Sequence, residues 1–127
     1  MNIPDDLRYS SDHEWIRRDA DNVVTIGITD YAQDSLGDVV FVEAPEVGTS
    51  MAAADSFTEV ESTKSVSDIY APVSGSITEA NVALDDQPEL LNSDPYGEGW
   101  ICRIEMSDPS QFDELMDAAA YRQLTEG

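Results

Sequence analysis

The chain has 127 residues, 41% of them hydrophobic, with 27 acidic and 6 basic side chains and a formal net charge of −21. That length predicts one domain able to bury roughly two thirds of its unfolded surface in a single core. The acidic balance argues against nucleic acid and anionic membranes as partners.

The acidic residues are scattered singly and in pairs, such as Asp5 with Asp6 and Asp85 with Asp86, so they form a solvated shell over an ordinary core. In 1 M salt the Debye length falls to about 3 Å, which screens such a shell against itself. A halophilic origin is the expectation. No stretch has the spacing of a calcium-binding loop. Cys102 is the sole cysteine and forms no internal disulfide, and Met1 to Asp6 has neither a basic start nor an apolar run. With no apolar stretch near the roughly 20 residues needed to span a bilayer, a soluble cytoplasmic protein is expected.

In chain order, His13 to Arg17 and Asn22 to Ile28 are β-branched and aromatic runs around Asp19, Ala20 and Asp21, which predicts a hairpin. Asp30 followed by Gln33 is a capping-box pattern and Gly37 a stop, so a short helix is expected over Tyr31 to Leu36. Asp38 to Glu43 reads as strand, and Ser50 to Ala54 as turn or loop. Phe57 to Glu61 and Val66 to Ala71 form a second hairpin, closed by Pro72. Val73 to Ala80 turns at Ser74 and Gly75 and continues as strand, and Trp100 to Glu105 is the last strand. The Asp-, Pro-, Asn- and Gly-rich stretch from Asp85 to Gly99 reads as loop. Asp108 and Pro109 open a terminal helix whose apolar stripe is Phe112, Leu115, Met116 and Ala119. Many short strands with turns between them predict an all-β sandwich or barrel with a terminal helix.

Lys64 is the only lysine, and it sits in a Ser-Thr-Lys-Ser turn at the tip of the second hairpin. Schiff-base catalysis needs burial or a cationic neighbour, whereas Glu59, Glu61 and Asp68 lie close in sequence. A hairpin tip instead offers the amine to another enzyme for modification. The plainer alternative is an ordinary turn lysine. His13, the only histidine, cannot alone build a three- or four-ligand zinc site and is read as structural. Cys102 is read as a strand residue rather than a redox centre, and Gly97 and Gly99 as turn residues.

The segment from Val60 through Glu61, Lys64, Asp68, Ala71 and Pro72 to Gly75 closely resembles the lipoyl-lysine segment of the H proteins of the glycine cleavage system. Ser11 to Trp15, Gly27 to Asp34, Leu36 to Glu43, Pro45 to Gly48, Leu91 to Gly97 and Gly99-Trp100 are also similar to that family's motifs, so the resemblance runs from about Leu7 to Leu124. It implies a barrel-sandwich hybrid fold, with short helix and terminal helix, over residues 1–127 as a single lipoyl-carrier domain. It further implies that Lys64 carries lipoic acid in amide linkage and that the chain is a carrier, not an enzyme. The partners it implies are glycine decarboxylase (a pyridoxal phosphate enzyme), aminomethyltransferase, dihydrolipoamide dehydrogenase and a lipoate-attaching enzyme. Glu61 and Asp68 would help that enzyme recognise the hairpin. Glu14, Asp68 and Asp12 would park the aminomethyl-loaded arm, with Asp12 standing where some members carry serine.

Other swinging-arm domains compete with this reading. Biotin carriers typically flank the lysine with methionine, where this chain has Thr63 and Ser65. Small lipoyl domains lack the His-Glu-Trp segment and the terminal helix. An H-like carrier serving sulfur oxidation or lipoyl relay is a further alternative, as is an interaction protein with unmodified Lys64.

Overall fold

A computed structural model describes residues 2–43 and 45–126. The ends of the expected unit, Met1 and Gly127, lie outside the described residues. Two antiparallel sheets account for the strands. The larger runs β1 (Arg8–Tyr9), β2 (Glu14–Arg18), β3 (Val23–Ile28), β9 (Cys102–Met106), β8 (Gly75–Ala80), β5 (Ser50–Met51). The smaller runs β4 (Val39–Val42), β6 (Ser56–Ser62), β7 (Val66–Tyr70). Both predicted hairpins form, with Trp15 opposite Gly27 in the first and Glu61 opposite Val66 in the second.

The period of two along each strand divides inside from outside. Ile16, Val24, Ile26, Ile77 and Ile104 of the larger sheet share one core with Val42, Val60 and Ile69 of the smaller. Trp15 points the other way from Ile16. With Tyr9, Leu7, Ile3, Ala118 and Tyr121 it forms a second cluster beneath α5 (Ala118–Glu126). There the Trp15 indole lies against Gly27, where a Cβ would sit 2.7 Å from Nε1, and Nε1–H donates to the Pro95 carbonyl at 2.8 Å.

Several expectations are corrected. The helix α1 (Asp30–Leu36) is capped not by Asp30 but by Thr29, whose hydroxyl accepts from the Ala32 amide at 3.2 Å. Asp30 instead receives the Gln33 amide group at 2.7 Å. Ser50 and Met51, expected in a loop, pair with Ser76 and Gly75 as an edge strand, a pairing that local composition does not encode. The expected loop from Asp85 to Gly99 contains α3 (Leu90–Ser93) and begins within α2 (Ala83–Asp86). Leu84 and Leu91 are their buried anchors. The terminal helix is split into α4 (Ser110–Asp113) and α5. Between them Met116 exchanges backbone hydrogen bonds with Tyr9, at 2.8 and 2.9 Å, so β pairing overrides the helical stripe.

Candidate functional site

Lys64 is exposed at the tip between β6 and β7. Ser62 holds the turn closed. Its amide donates to the Ser65 carbonyl at 2.8 Å, and its hydroxyl oxygen accepts from the amides of Lys64 and Ser65, both at 3.2 Å. Because one hydroxyl takes up both turn amides, the tip keeps a fixed shape while Lys64 remains outside the sheet. Among the described residues the ion pairs fall on Arg17, Arg103 and Arg122, and Lys64 is in none of them.

The lysine stem does not project freely. It crosses Gly37, where a methyl group would sit 3.2 Å from Lys64 Cε. Gly37 has φ 80° and ψ −157°, a backbone region essentially reserved for glycine. The next residues bind this turn to the tip and to α3. The Thr63 amide donates to the Asp38 carbonyl at 3.0 Å. Asn92 of α3 accepts the Val39 amide proton on Oδ1 at 2.8 Å and donates from Nδ2 to the Gly37 carbonyl at 2.8 Å. Nδ2 also reaches Gln33 Oε1 at 3.1 Å.

Beside the lysine, α1 and β7 enclose a cleft of about 240 Å³ lined by Asp12, His13, Ile28, Ala32, Ser35, Leu36, Ser65, Ser67, Asp68 and Ile69. Leu36 adjoins Gly37 and Ser65 adjoins Lys64, so the lysine stem lies at its rim. Apolar side chains cover one part of the wall, and Asp12 and Asp68 bring carboxylates to it.

Of the four expected acidic residues, Asp12 and Asp68 meet at this cleft, Glu61 stays exposed on β6, and Glu14 is absent from the lining. Glu14 shares the inward parity of Ile16 and is only 1% exposed. Burial pushes its carboxyl up to about 7, opposed by a hydrogen bond from the Ser10 hydroxyl, while nearby Asp12 pushes it further up. Within the β1–β2 turn the Ser10 hydroxyl donates to Glu14 Oε1 at 2.6 Å and accepts from the Glu14 amide at 3.2 Å, so Glu14 braces this turn behind the cleft.

His13 has both a structural bond and a place on the cleft wall. Its Nδ1 lies 2.8 Å from the Tyr121 hydroxyl, its ring stacks on Tyr31 at 4.5 Å, and its backbone takes φ 70°. Cys102 is buried, and burial pushes its thiol up to about 12, leaving no reactive thiolate at neutral pH. Gly37 and Asn92 stand within the resembling motifs but carried no expected site role. Local turn chemistry reads Gly37 as a helix stop, and Asn92 lies in a segment expected as loop. The cluster Pro88-Glu89-Leu90-Leu91 ahead of Asn92 carried the missed signal of a one-turn helix.

A two-sheet domain that presents its one lysine on a braced hairpin tip, with a cleft beside it, has the form of a carrier domain. The Glycine cleavage H-protein family model matches residues 7–127. The chain is 56% identical over 122 residues to the glycine cleavage system H protein of Halorhodospira halophila, covering 96% of this chain and 94% of that one. It is 54% identical over 125 residues to that of Escherichia coli O7:K1, covering 98% and 97%. The crystal structure of a glycine cleavage system H protein from Mycobacterium marinum superposes with a TM-score of 0.89 at 44% identity, covering 98% of this chain and all (100%) of that one. The chain belongs to the glycine cleavage H-protein family.

Proposed function

We propose that this chain, read as one domain over residues 1–127, is the cytoplasmic lipoyl-bearing shuttle of the glycine cleavage system. On this reading it carries an aminomethyl unit, through lipoic acid amide-linked to Lys64, from glycine decarboxylase to aminomethyltransferase. Dihydrolipoamide dehydrogenase then reoxidises it. The observation that carries the proposal is the exposed Lys64, the only lysine in the chain, with its stem laid at the rim of the cleft.

The residues present fit a lipoyl arm. Lys64 supplies a free amine for a lipoate-attaching enzyme, which would read the braced turn with Glu61 and Asp68 beside it. Once attached, the group supplies a disulfide that accepts a one-carbon unit and two electrons. Ile28, Ala32, Leu36 and Ile69 would cover the hydrocarbon, excluding water from the arm. Asp12 and Asp68 would meet its ammonium end. Glu14, behind the wall, would act by bracing the β1–β2 turn through Ser10 and by adding a third negative charge when it ionises near neutral pH. The tether raises the cargo's effective concentration at each partner site.

Intact mass of the protein purified from its native host, with fragmentation to locate any adduct, tests the reading. A lipoyl group on Lys64 is expected. An unmodified lysine under glycine-replete growth overturns it, and a biotinyl group redirects it to carboxylation.

A further inference from the structure

We propose that Asn92 is a positioning residue for Lys64, fixing the Gly37–Val39 turn over which the lysine stem leaves the hairpin. This rests on the carrier reading for its consequence, although the seat itself is a property of the chain. The turn is held from two sides. In front, the Thr63 amide grips the Asp38 carbonyl at 3.0 Å, so the seat and the lysine tip move together. Behind, Asn92 bonds the residues on either side of Asp38 at once, taking the Val39 amide and giving to the Gly37 carbonyl, both at 2.8 Å. Its amide orientation follows from the Val39 N–H, which can only donate.

Chemistry explains why asparagine suits the position. The Gly37 carbonyl and the Val39 amide need a donor and an acceptor on one short planar group, and Gln33 Oε1 takes the remaining Nδ2 proton at 3.1 Å. Gln33 in turn reaches Asp30, and Asp30 Oδ2 receives the Asn2 amide at 2.8 Å, so the bracket extends along α1. Without Asn92 the glycine-only geometry at Gly37 loses its support, and the α1 end of the cleft rim is released. The stem then samples directions away from Leu36 and Ser65, and a carried group spends less time against the cleft wall.

The fold contains its own control. Asn81 makes a bracket of the same kind, giving from Nδ2 to the Glu98 and Trp100 carbonyls, both at 2.7 Å, and accepting the Ala83 amide at 3.2 Å. It does not touch Gly37 or Lys64. Loss of either bracket costs stability, but only loss of Asn92 should move the lysine.

The experiment compares wild type, Asn92→Ala and Asn81→Ala in two readouts. Nuclear Overhauser contacts between the Lys64 ε-methylene and the Gly37 α-protons, recorded on unmodified protein, should be present in wild type and Asn81→Ala and lost in Asn92→Ala. On the lipoylated and aminomethyl-loaded proteins, the adduct should hydrolyse about tenfold faster in Asn92→Ala alone, the factor that loss of one hydrogen bond's worth of positioning gives. If Asn92→Ala does not fold, isosteric Asn92→Asp replaces it, keeping the acceptor for Val39 and setting an oxygen against the Gly37 carbonyl. Absence of the contact in wild type, or its survival in the Asn92 variant, overturns the seat. Equal adduct lifetimes in wild type and the Asn92 variant, or equal shortening in both variants, overturns the positioning role. A wild type that shows the contact yet never accepts the cargo overturns the carrier reading while supporting the seat.

Discussion

The two sheets present contrasting outer faces. On the larger, one row across four strands reads Arg17, Thr25, Arg103, Glu79, and each arginine in it has a carboxylate partner. Arg17 pairs with Asp19 at 2.9 Å and Arg103 with Glu79 at 2.8 Å, while Thr25 donates to Asp19. On the smaller, Glu59 stands directly opposite Asp68, and the next row places Glu61 between Phe41, 53% exposed, and Val66, 56% exposed. Like charges across a ladder and bare apolar side chains are both unfavourable to an isolated fold. The larger sheet is therefore organised for its own stability, and the smaller retains features suited to contact with other molecules around Lys64.

The largest effect that would test this division comes from paired truncations. Trp15→Ala should cost about 3–5 kcal/mol in denaturant unfolding, because the indole is buried under α5. Phe41→Ala should stay within about 0.5 kcal/mol. A comparable loss at Phe41 would break the comparison.

Burial of the Glu14 carboxyl in the larger sheet makes the stability of the fold pH-dependent. Its folded carboxyl is raised to about 7 from 4.5, so the folded state binds the extra proton between these values. The associated stability is fully present below pH 4.5 and is lost as pH rises through 7. Glu14→Gln should therefore gain on wild type by on the order of 3 kcal/mol between pH 4.5 and pH 8, read as the difference between their unfolding free energies. A pH-independent difference would show that Glu14 contributes no proton linkage.

The smallest effect sharpens the contrast on the lysine-bearing face. Glu59→Gln removes the opposition to Asp68 and should stabilise by about 0.2–1 kcal/mol in dilute buffer. In molar KCl the gain should vanish, since screening removes the repulsion. The wild-type melting temperature should itself rise with KCl, and a flat series would count against the halophilic expectation.

Both hairpins, the α1 stop at Gly37 and the lysine tip were readable because local turn chemistry and period-two alternation coincide there. The β5 edge and the Met116 bridge were not, because each depends on a distant partner, Ser76 or Tyr9. The cleft illustrates the same limit. Asp12 and Asp68 were identified with Glu14 from motif resemblance, but only strand parity with Ile16 shows that Glu14 lies behind the wall. Asn92 lies within a resembling motif, while its two backbone bonds, reaching across 53 and 55 positions of sequence, are invisible in the sequence.

The lone lysine on its hairpin also simplifies a problem of discrimination. An acylating enzyme must normally tell one ε-amine from many near-identical competitors by reading the surface around it, but this chain offers it a single candidate. Selectivity within the molecule is set by composition, which leaves the enzyme's contacts free to distinguish this protein from others.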